Sequence, residues 1–268
     1  PLHDRFGRLR INKLREVFPR IREVEAIARH RRFMHWELAF ADVFRSRGGF
    51  DLILGNPPWL KGGGDEAGIL GEVNPLFAIR KVSASELATL RSKAFETFSG
   101  LQTDWTAELE EAEGTQNVLN AIQNYPLLEG QKANLYKCFL PLAWRVSAAI
   151  GVTGFVHPEG PYEDPKGGEL REVVYSRLRA HFQFQNEFQL FTGTNDHGRL
   201  RFGTHIYGQQ RGVVAFDHIS NLFAPATVDS SYLHSGAGPG GGIKDEQSRW
   251  DTPGHRDRPV RVGDAAPA

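Results

Sequence analysis

Residues 50–59 read Phe50-Asp51-Leu52-Ile53-Leu54-Gly55-Asn56-Pro57-Pro58-Trp59, an apolar run followed by an asparagine, two prolines and a tryptophan. The apolar run is too short for a helix and has glycine at both ends, which predicts a buried parallel strand. Proline has no amide donor and restricts its own backbone angle, so the chain must leave the sheet after Gly55. The stretch therefore predicts a rigid loop at the carboxyl end of an interior strand.

Helix and strand patterns surround this loop. Apolar residues spaced three and four apart predict one or two helices in residues 7–33, interrupted at Pro19. Further helices are predicted at Ala84–Phe98, at Trp105–Glu113, after a predicted N-cap at Asn134, and around Leu170–Leu178. Further strands are predicted at Gly151–Val156, in the run from Phe182 to Leu190, at Phe202–Tyr207 and at Val213–Phe216.

This alternation predicts an α/β fold with a partial doubly wound, Rossmann-like sheet. We expect a helical N-terminal segment over residues 1–49 and a catalytic part over residues 50–219, with a helical insertion at about 62–130. Residues 220–268 show no apolar periodicity, and residues 236–242 contain only Gly, Ala and Pro. We expect this last part to form an extended or disordered tail.

Composition excludes several classes of protein. A chain of 268 residues, 40% hydrophobic and 24% charged, is globular and can bury one sizeable core. Its single cysteine, Cys138, excludes a disulfide framework, and its ten histidines show no pair at metal-ligand spacing, so no metal site is expected. No window is apolar enough to span a bilayer or to act as a signal peptide. We therefore expect a cytoplasmic protein without a membrane partner.

The net charge is zero, but the charges are unevenly distributed. Residues 1–50 hold twelve Lys or Arg against six Asp or Glu, whereas residues 61–130 hold five against eleven. The basic start, especially Arg29, Arg31 and Arg32, could contact nucleic acid phosphates. A solvated helix face is the alternative interpretation.

The loop has the groups needed to present an adenine amino group for reaction. That nitrogen is a weak nucleophile because its lone pair is delocalised into the ring, and in a duplex it is also base-paired, so the base must be flipped out. The Asn56 side-chain oxygen and the Pro57 carbonyl can both accept hydrogen bonds from it. Pro57 and Pro58 restrict the backbone that carries this carbonyl. Trp59 supplies a stacking surface.

The string Gly55-Asn56-Pro57-Pro58-Trp59 after an apolar strand resembles the catalytic motif of amino-methylating DNA methyltransferases. In the adenine enzymes of that group, Asn-Pro-Pro is followed by Tyr, Phe or Trp. The wider chain resembles the large methylases of fused type IIG restriction-modification enzymes and of related phage-defence systems. This broader resemblance rests on residues 35–50, Asn134–Leu140, Gly154–Gly160, Leu170-Arg171 and the tail segments Gly242–Lys244, Trp250 and Gly254–Arg256.

The resemblance implies transfer of a methyl group from S-adenosylmethionine to a flipped adenine in double-stranded DNA. Asn56, Pro57, Pro58 and Trp59 would form the catalytic loop, with Asn56 and Trp59 binding the base. Lys61, as a contact for a phosphate near the flipped base, and His157, at a strand end, are further candidate substrate contacts. A solvated lysine and a loop histidine are the alternatives. Asp42 is the candidate cofactor-binding residue, with a surface or helix-capping aspartate as the alternative. The partners implied are DNA and the remainder of the same polypeptide, or a restriction or defence subunit.

One departure from the family pattern is large. A Phe/Gly-rich cofactor loop should precede the catalytic strand, but residues 1–49 contain no such loop. We therefore expect a fragment that lacks the first strands of the sheet, with residues 220–268 leading toward a missing target-recognition region. The alternative function is that of an inactive, methyltransferase-like module that binds DNA or a partner without turnover.

Overall fold

The computed structural model describes residues 2–59, 66–79, 83–131, 134–191 and 200–263. The chain divides into two units, Pro1–Gly48 and Gly49–Ala268.

The first unit is helical in its described residues. Pro19 is the N-cap of the second helix, which confirms the predicted interruption. Arg15 and Glu25 form an ion pair at 2.8 Å that links the first two helices. The helices are α1 (Ile11–Val17), α2 (Arg20–Arg31), α3 (Trp36–Ala39) and α4 (Ala41–Arg47).

The second unit is built on a sheet that has six strands within the described residues. Its spatial order is β1-β2-β4-β3-β5-β6. The pairs β1·β2 and β3·β5 are parallel, whereas β2·β4, β3·β4 and β5·β6 are antiparallel. The strands are β1 (Phe50–Gly55), β2 (Ser147–Pro158), β3 (Leu178–Gln185), β4 (Arg201–Tyr207), β5 (Ala215–Leu222) and β6 (Val260–Gly263).

The mixed sheet with helices on both faces confirms the predicted α/β class, and its doubly wound, Rossmann-like character stays a prediction. The consecutive strands β3 and β4 pair antiparallel, so the alternation of parallel strand and crossover helix ends at β3. The prediction that β1 is parallel is confirmed, but the prediction that it is buried is wrong. In the described part of the sheet β1 lies at one edge, and Leu52 and Leu54 are 58% and 70% exposed.

Helices lie on both faces of the sheet. On one face, Leu140 of α9 and Leu170 and Val174 of α11 are completely buried, in a cluster that includes Phe155 and Tyr207. On the other face, α12 packs against a cluster of Phe184, Phe202, Ile219 and Leu222. The helices of this unit are α5 (Glu66–Val73), α6 (Leu76–Ile79), α7 (Ala84–Thr97), α8 (Leu101–Asn120), α9 (Leu135–Val146), α10 (Gly160–Glu163), α11 (Gly168–Arg177) and α12 (Ala226–Leu233).

The helix boundaries follow local chemistry where the sequence supplies it. Ser83 caps α7 by accepting a hydrogen bond from the Glu86 amide, as expected for a Ser-x-x-Glu sequence. Asn134 occupies the predicted N-cap position of α9, but its side chain makes no capping hydrogen bond. None of the helices in the described ranges has the length and hydropathy needed to cross a bilayer.

Gly49 lets β1 start against the end of α9. Its φ angle is +152°, and a Cβ atom there would lie 2.5 Å from the Val146 carbonyl oxygen. A larger residue would therefore push β1 away from β2, whose first residue, Ser147, pairs with Phe50.

The predicted extended tail is wrong for its described residues. It contains α12 and β6, and β6 pairs antiparallel with β5. Phe223 is 1% exposed and stacks on Trp250 at 4.6 Å. The Thr227 hydroxyl donates to the Thr252 carbonyl at 2.6 Å. The contacts that hold this segment in place join residues about 25 positions apart in sequence. The segment therefore shows no short-range periodicity of apolar residues.

Replacing Phe223 with alanine tests whether the tail is folded. We expect F223A to lower the free energy of unfolding by about 3–5 kcal/mol, because it removes a fully buried ring. The measurement is urea denaturation, and the matched control is L233A, which truncates a side chain that is 85% exposed on α12. A loss below about 1 kcal/mol for F223A would show that the tail does not pack in solution.

Candidate active site

The loop that follows β1 lies at the edge of the sheet where ligands bind in open α/β folds. Gly55, the last residue of β1, pairs with Phe155 of the parallel strand β2. The two strands therefore end at the same edge, β1 with residues 56–59 beyond it and β2 with Pro158. Loops at the carboxyl ends of parallel strands are where such folds place their ligands.

The first three residues of the loop alternate in exposure. Asn56 and Pro58 are exposed, whereas Pro57 is buried between them. A buried proline ring anchors the backbone next to Asn56 and has no amide that would need a partner. The Asn56 side chain is thus presented to solvent from an anchored position.

Trp59 has a defined orientation. Its indole N–H donates to the Val156 carbonyl on β2 at 3.3 Å. Its ring lies 4.8 Å from the Phe191 ring and 6.0 Å from the Phe202 ring, and it remains partly exposed. The bond to β2 therefore fixes the indole, three residues after Asn56, beside a second aromatic ring. That ring belongs to Phe191, which the sequence analysis did not single out.

Two further predicted site residues are Lys61 and Asp42. Lys61 lies outside the described residues. Asp42 belongs to the first unit, where its side chain is exposed in the first turn of α4.

His157 is a correction to the predicted site. Its ring is completely buried, so it has no surface with which to contact a base. Its Nε2 lies 2.8 Å from the Tyr207 hydroxyl, and its ring stacks on His205 at 3.7 Å. Burial lowers the pKa of His157 to about 4, so the ring is neutral at physiological pH.

His157 belongs to a buried polar cluster that sequence spacing did not reveal. The cluster comprises His157, Glu159, Tyr162, His181, His205 and Tyr207. Burial acts to raise the pKa of Glu159, but hydrogen bonding and charge interaction with His181 outweigh it and lower the pKa. Burial lowers the pKa of His205 well below its usual value. The cluster therefore contains an ionised carboxylate in the interior.

The sequence signal for this cluster is a spacing of two residues, which places side chains on the same face of a strand. His157 and Glu159 are two residues apart, as are Gly203 and His205. Alternate residues of a strand share a face, but only the strand pairing shows that these faces coincide. His181 lies directly opposite His205 in the sheet.

Two basic side chains hold the segment that carries Glu159 and Tyr162. Lys137, buried in α9, donates to the Asp164 carboxylate at 2.6 Å, and this hydrogen bond lowers the pKa of Asp164. Arg171 donates to the carbonyl oxygens of Tyr162 and Asp164, both at 3.0 Å. Arg171 is thus an anchor for this segment.

Comparison with known families identifies one matching model. Residues 3–78 match the model of the Eco57I restriction-modification methylase family, and this range contains the Asn56–Trp59 loop. The match covers less than a third of the chain. No curated protein sequence matches the chain.

Three solved structures are similar to parts of the chain. A modification subunit of a putative type I restriction enzyme from Vibrio vulnificus YJ016 has 14% identity and a TM-score of 0.32. The DNA-bound, ATP-dependent type ISP restriction-modification enzyme LlaBIII has 9% identity and a TM-score of 0.32. A type I restriction-modification system has 12% identity and a TM-score of 0.38. The matches cover 65%, 63% and 80% of this chain but 26%, 10% and 34% of the solved chains.

Proposed function

We propose that the chain carries the catalytic loop of a site-specific DNA adenine-N6 methyltransferase within a restriction-modification or phage-defence system. The observation that supports this most is the loop at the end of β1, with Asn56 exposed, Pro57 buried and Trp59 fixed by its bond to Val156. The family match over residues 3–78 supports the methylase class.

Asn56 and Pro57 would act on the amino group of the flipped base. Two oxygen acceptors, the Asn56 side chain and the Pro57 carbonyl, would each take one N–H of that group. Held in this way, the nitrogen would direct its lone pair at the methyl donor. Because burial fixes the Pro57 ring, its carbonyl dipole would not need to reorient as positive charge develops on the nitrogen.

Trp59 would replace the stacking that the base loses on leaving the duplex. A base on an aromatic face gains on the order of 1–3 kcal/mol. The hydrogen bond to Val156 and the packing on Phe191 hold the indole in one orientation, so little side-chain entropy is lost on binding. We assign Phe191 a supporting role beside the base.

S-adenosylmethionine would supply the methyl group as an electrophile: its carbon–sulfur bond would break as the nitrogen–carbon bond forms, a neutral thioether would leave, and the methylated nitrogen would release one proton to solvent. Such a transfer between aligned reactants needs no covalent enzyme intermediate. Asp42 remains the proposed cofactor contact, since an exposed carboxylate can accept hydrogen bonds from the cofactor. The exposed residues Arg29 and Arg32, at the end of α2, are proposed contacts for DNA phosphates.

Asn56→Ala should abolish adenine methylation by the full-length protein. The expected fall in kcat is about 100- to 1,000-fold or more, the scale seen when one transition-state hydrogen bond is removed. Because Asn56 is exposed, the free energy of unfolding should change by no more than about 0.5 kcal/mol. The measurement is transfer of labelled methyl groups to DNA, followed by nucleoside analysis for N6-methyladenine.

The matched control is Asn120→Ala, which changes an exposed asparagine on α8. It should methylate DNA at the wild-type rate. Wild-type activity in N56A, or methylcytosine as the product of the wild-type protein, would contradict the proposal.

Calorimetry with S-adenosylmethionine separates this proposal from the alternative of an inactive binding module. That alternative is favoured by the lack of a Phe/Gly-rich cofactor loop in residues 1–49. We expect the full-length protein to bind the cofactor with 1:1 stoichiometry. DNA binding without any cofactor binding would support the inactive module.

Substitutions of Trp59 test the stacking surface. Trp59→Ala should reduce kcat/KM by about 5- to 150-fold, the equivalent of one lost base-aromatic stack. Trp59→Phe keeps an aromatic face and loses only the bond to Val156, so it should retain activity within several-fold of wild type. Equal losses in the two variants, measured on the same DNA duplex, would show that stacking is not the role of Trp59.

A further inference from the structure

Four adjacent strands each place one histidine on the same face of the sheet. In spatial order these are His157 on β2, His205 on β4, His181 on β3 and His218 on β5. Neighbouring ring centroids lie 3.7, 4.7 and 4.8 Å apart. The first three side chains are buried, and His218 is half-buried. The proposed methyl transfer does not use any of these four histidines.

Glu159 joins two of these histidines at the end of β2. The His181 Nε2 atom lies 3.1 Å from both carboxylate oxygens of Glu159, and the His205 Nε2 atom lies 3.8 Å from one of them. One ligand atom from each of the three residues lies within 4.8 Å of the other two. Small side-chain rotations would bring all three to the 2.0–2.2 Å at which zinc binds nitrogen and oxygen.

We propose that Glu159, His181 and His205 bind one divalent transition-metal ion, Zn²⁺, which stabilises the fold. Two imidazoles and a carboxylate form a zinc ligand set, and a buried carboxylate is stable only when it is paired or coordinates a metal. Three protein ligands leave the fourth tetrahedral position for a water molecule.

Neighbouring side chains hydrogen-bond to the proposed ligands and orient them, as such groups do in known metal sites. The Tyr162 hydroxyl lies 2.9 Å from the His205 Nδ1 atom, so Nδ1–H can donate to it while Nε2 binds the ion. Gln183 donates to the Glu159 carboxylate at 3.2 Å. The hydrogen bond of the His205 Nε2 atom to the His157 carbonyl, at 3.2 Å, would be replaced by the metal.

Gly203 provides the space that the ligand atoms occupy. A Cβ atom at this position would lie 2.6 Å from the His205 Nε2 atom and 2.8 Å from a Glu159 oxygen. Any larger residue on this face of β4 would displace both proposed ligands. The ion would join β3, β4 and the segment after β2, three elements that are distant in sequence.

The site is tested first on the untagged wild-type protein. We expect one equivalent of zinc by elemental analysis after purification without chelator, and 1:1 binding when metal-free protein is titrated with Zn²⁺ by calorimetry. X-ray absorption of the zinc-loaded protein should show two imidazoles with oxygen ligands and no sulfur. Absence of stoichiometric binding, or a ligand set without two imidazoles, would overturn the proposal, and neither result depends on a variant folding.

Variants then locate the ion. Glu159→Gln and His205→Gln should each weaken zinc binding by about 100-fold or more, since even an outer partner of a metal ligand is worth 10–100-fold. The matched control is His218→Gln, which alters the neighbouring ring but no proposed ligand and should bind zinc as wild type does. Unchanged affinity in a folded Glu159→Gln variant would refute the site.

Discussion

The parallel pairing of β1 with β2 is the interaction on which the rest of the structure depends. It brings the carboxyl ends of two strands, almost a hundred residues apart in sequence, to one edge of the sheet. Gly49 permits the pairing, because any Cβ atom there would collide with the end of α9. The bond from Trp59 to Val156 links the loop after one strand to the backbone of the other. Without this pairing, Asn56 would sit on a loop with no rigid support.

Side-chain alternation along β2 places the packing of Trp59 and the histidine cluster on opposite faces of the sheet. Val156 and His157 are neighbours in β2 and point to opposite faces. Trp59 packs with Phe191 and Phe202 on the face that carries α12, whereas the histidine cluster lies on the face covered by α9 and α11. The exposed loop would perform the proposed methyl transfer, and the buried Glu159 cluster would hold the sheet together.

Sequence reasoning was most accurate where local chemistry decides the outcome. The two helices around Pro19, the strand ending at Gly55 and the helix after Asn134 all lie where periodicity and proline placed them. It was least accurate where distant contacts decide. Leu52 and Leu54 read as buried but lie at an edge, and the glycine-rich tail, which reads as unstructured, folds around Phe223 and Trp250. Lys61 and the region around it lie outside the described residues.

The sequence alone determined the chemistry of the loop. Asparagine, two prolines and tryptophan in that order specify a restrained backbone with an amide and an aromatic ring, whatever surrounds them. The tertiary structure decided which residues meet. His157 became a buried partner of Tyr207 rather than a contact for a base, and Glu159 met His181 and His205. The physical reason is that side-chain alternation within a strand is a local property, whereas strand order and register depend on packing across the whole sheet.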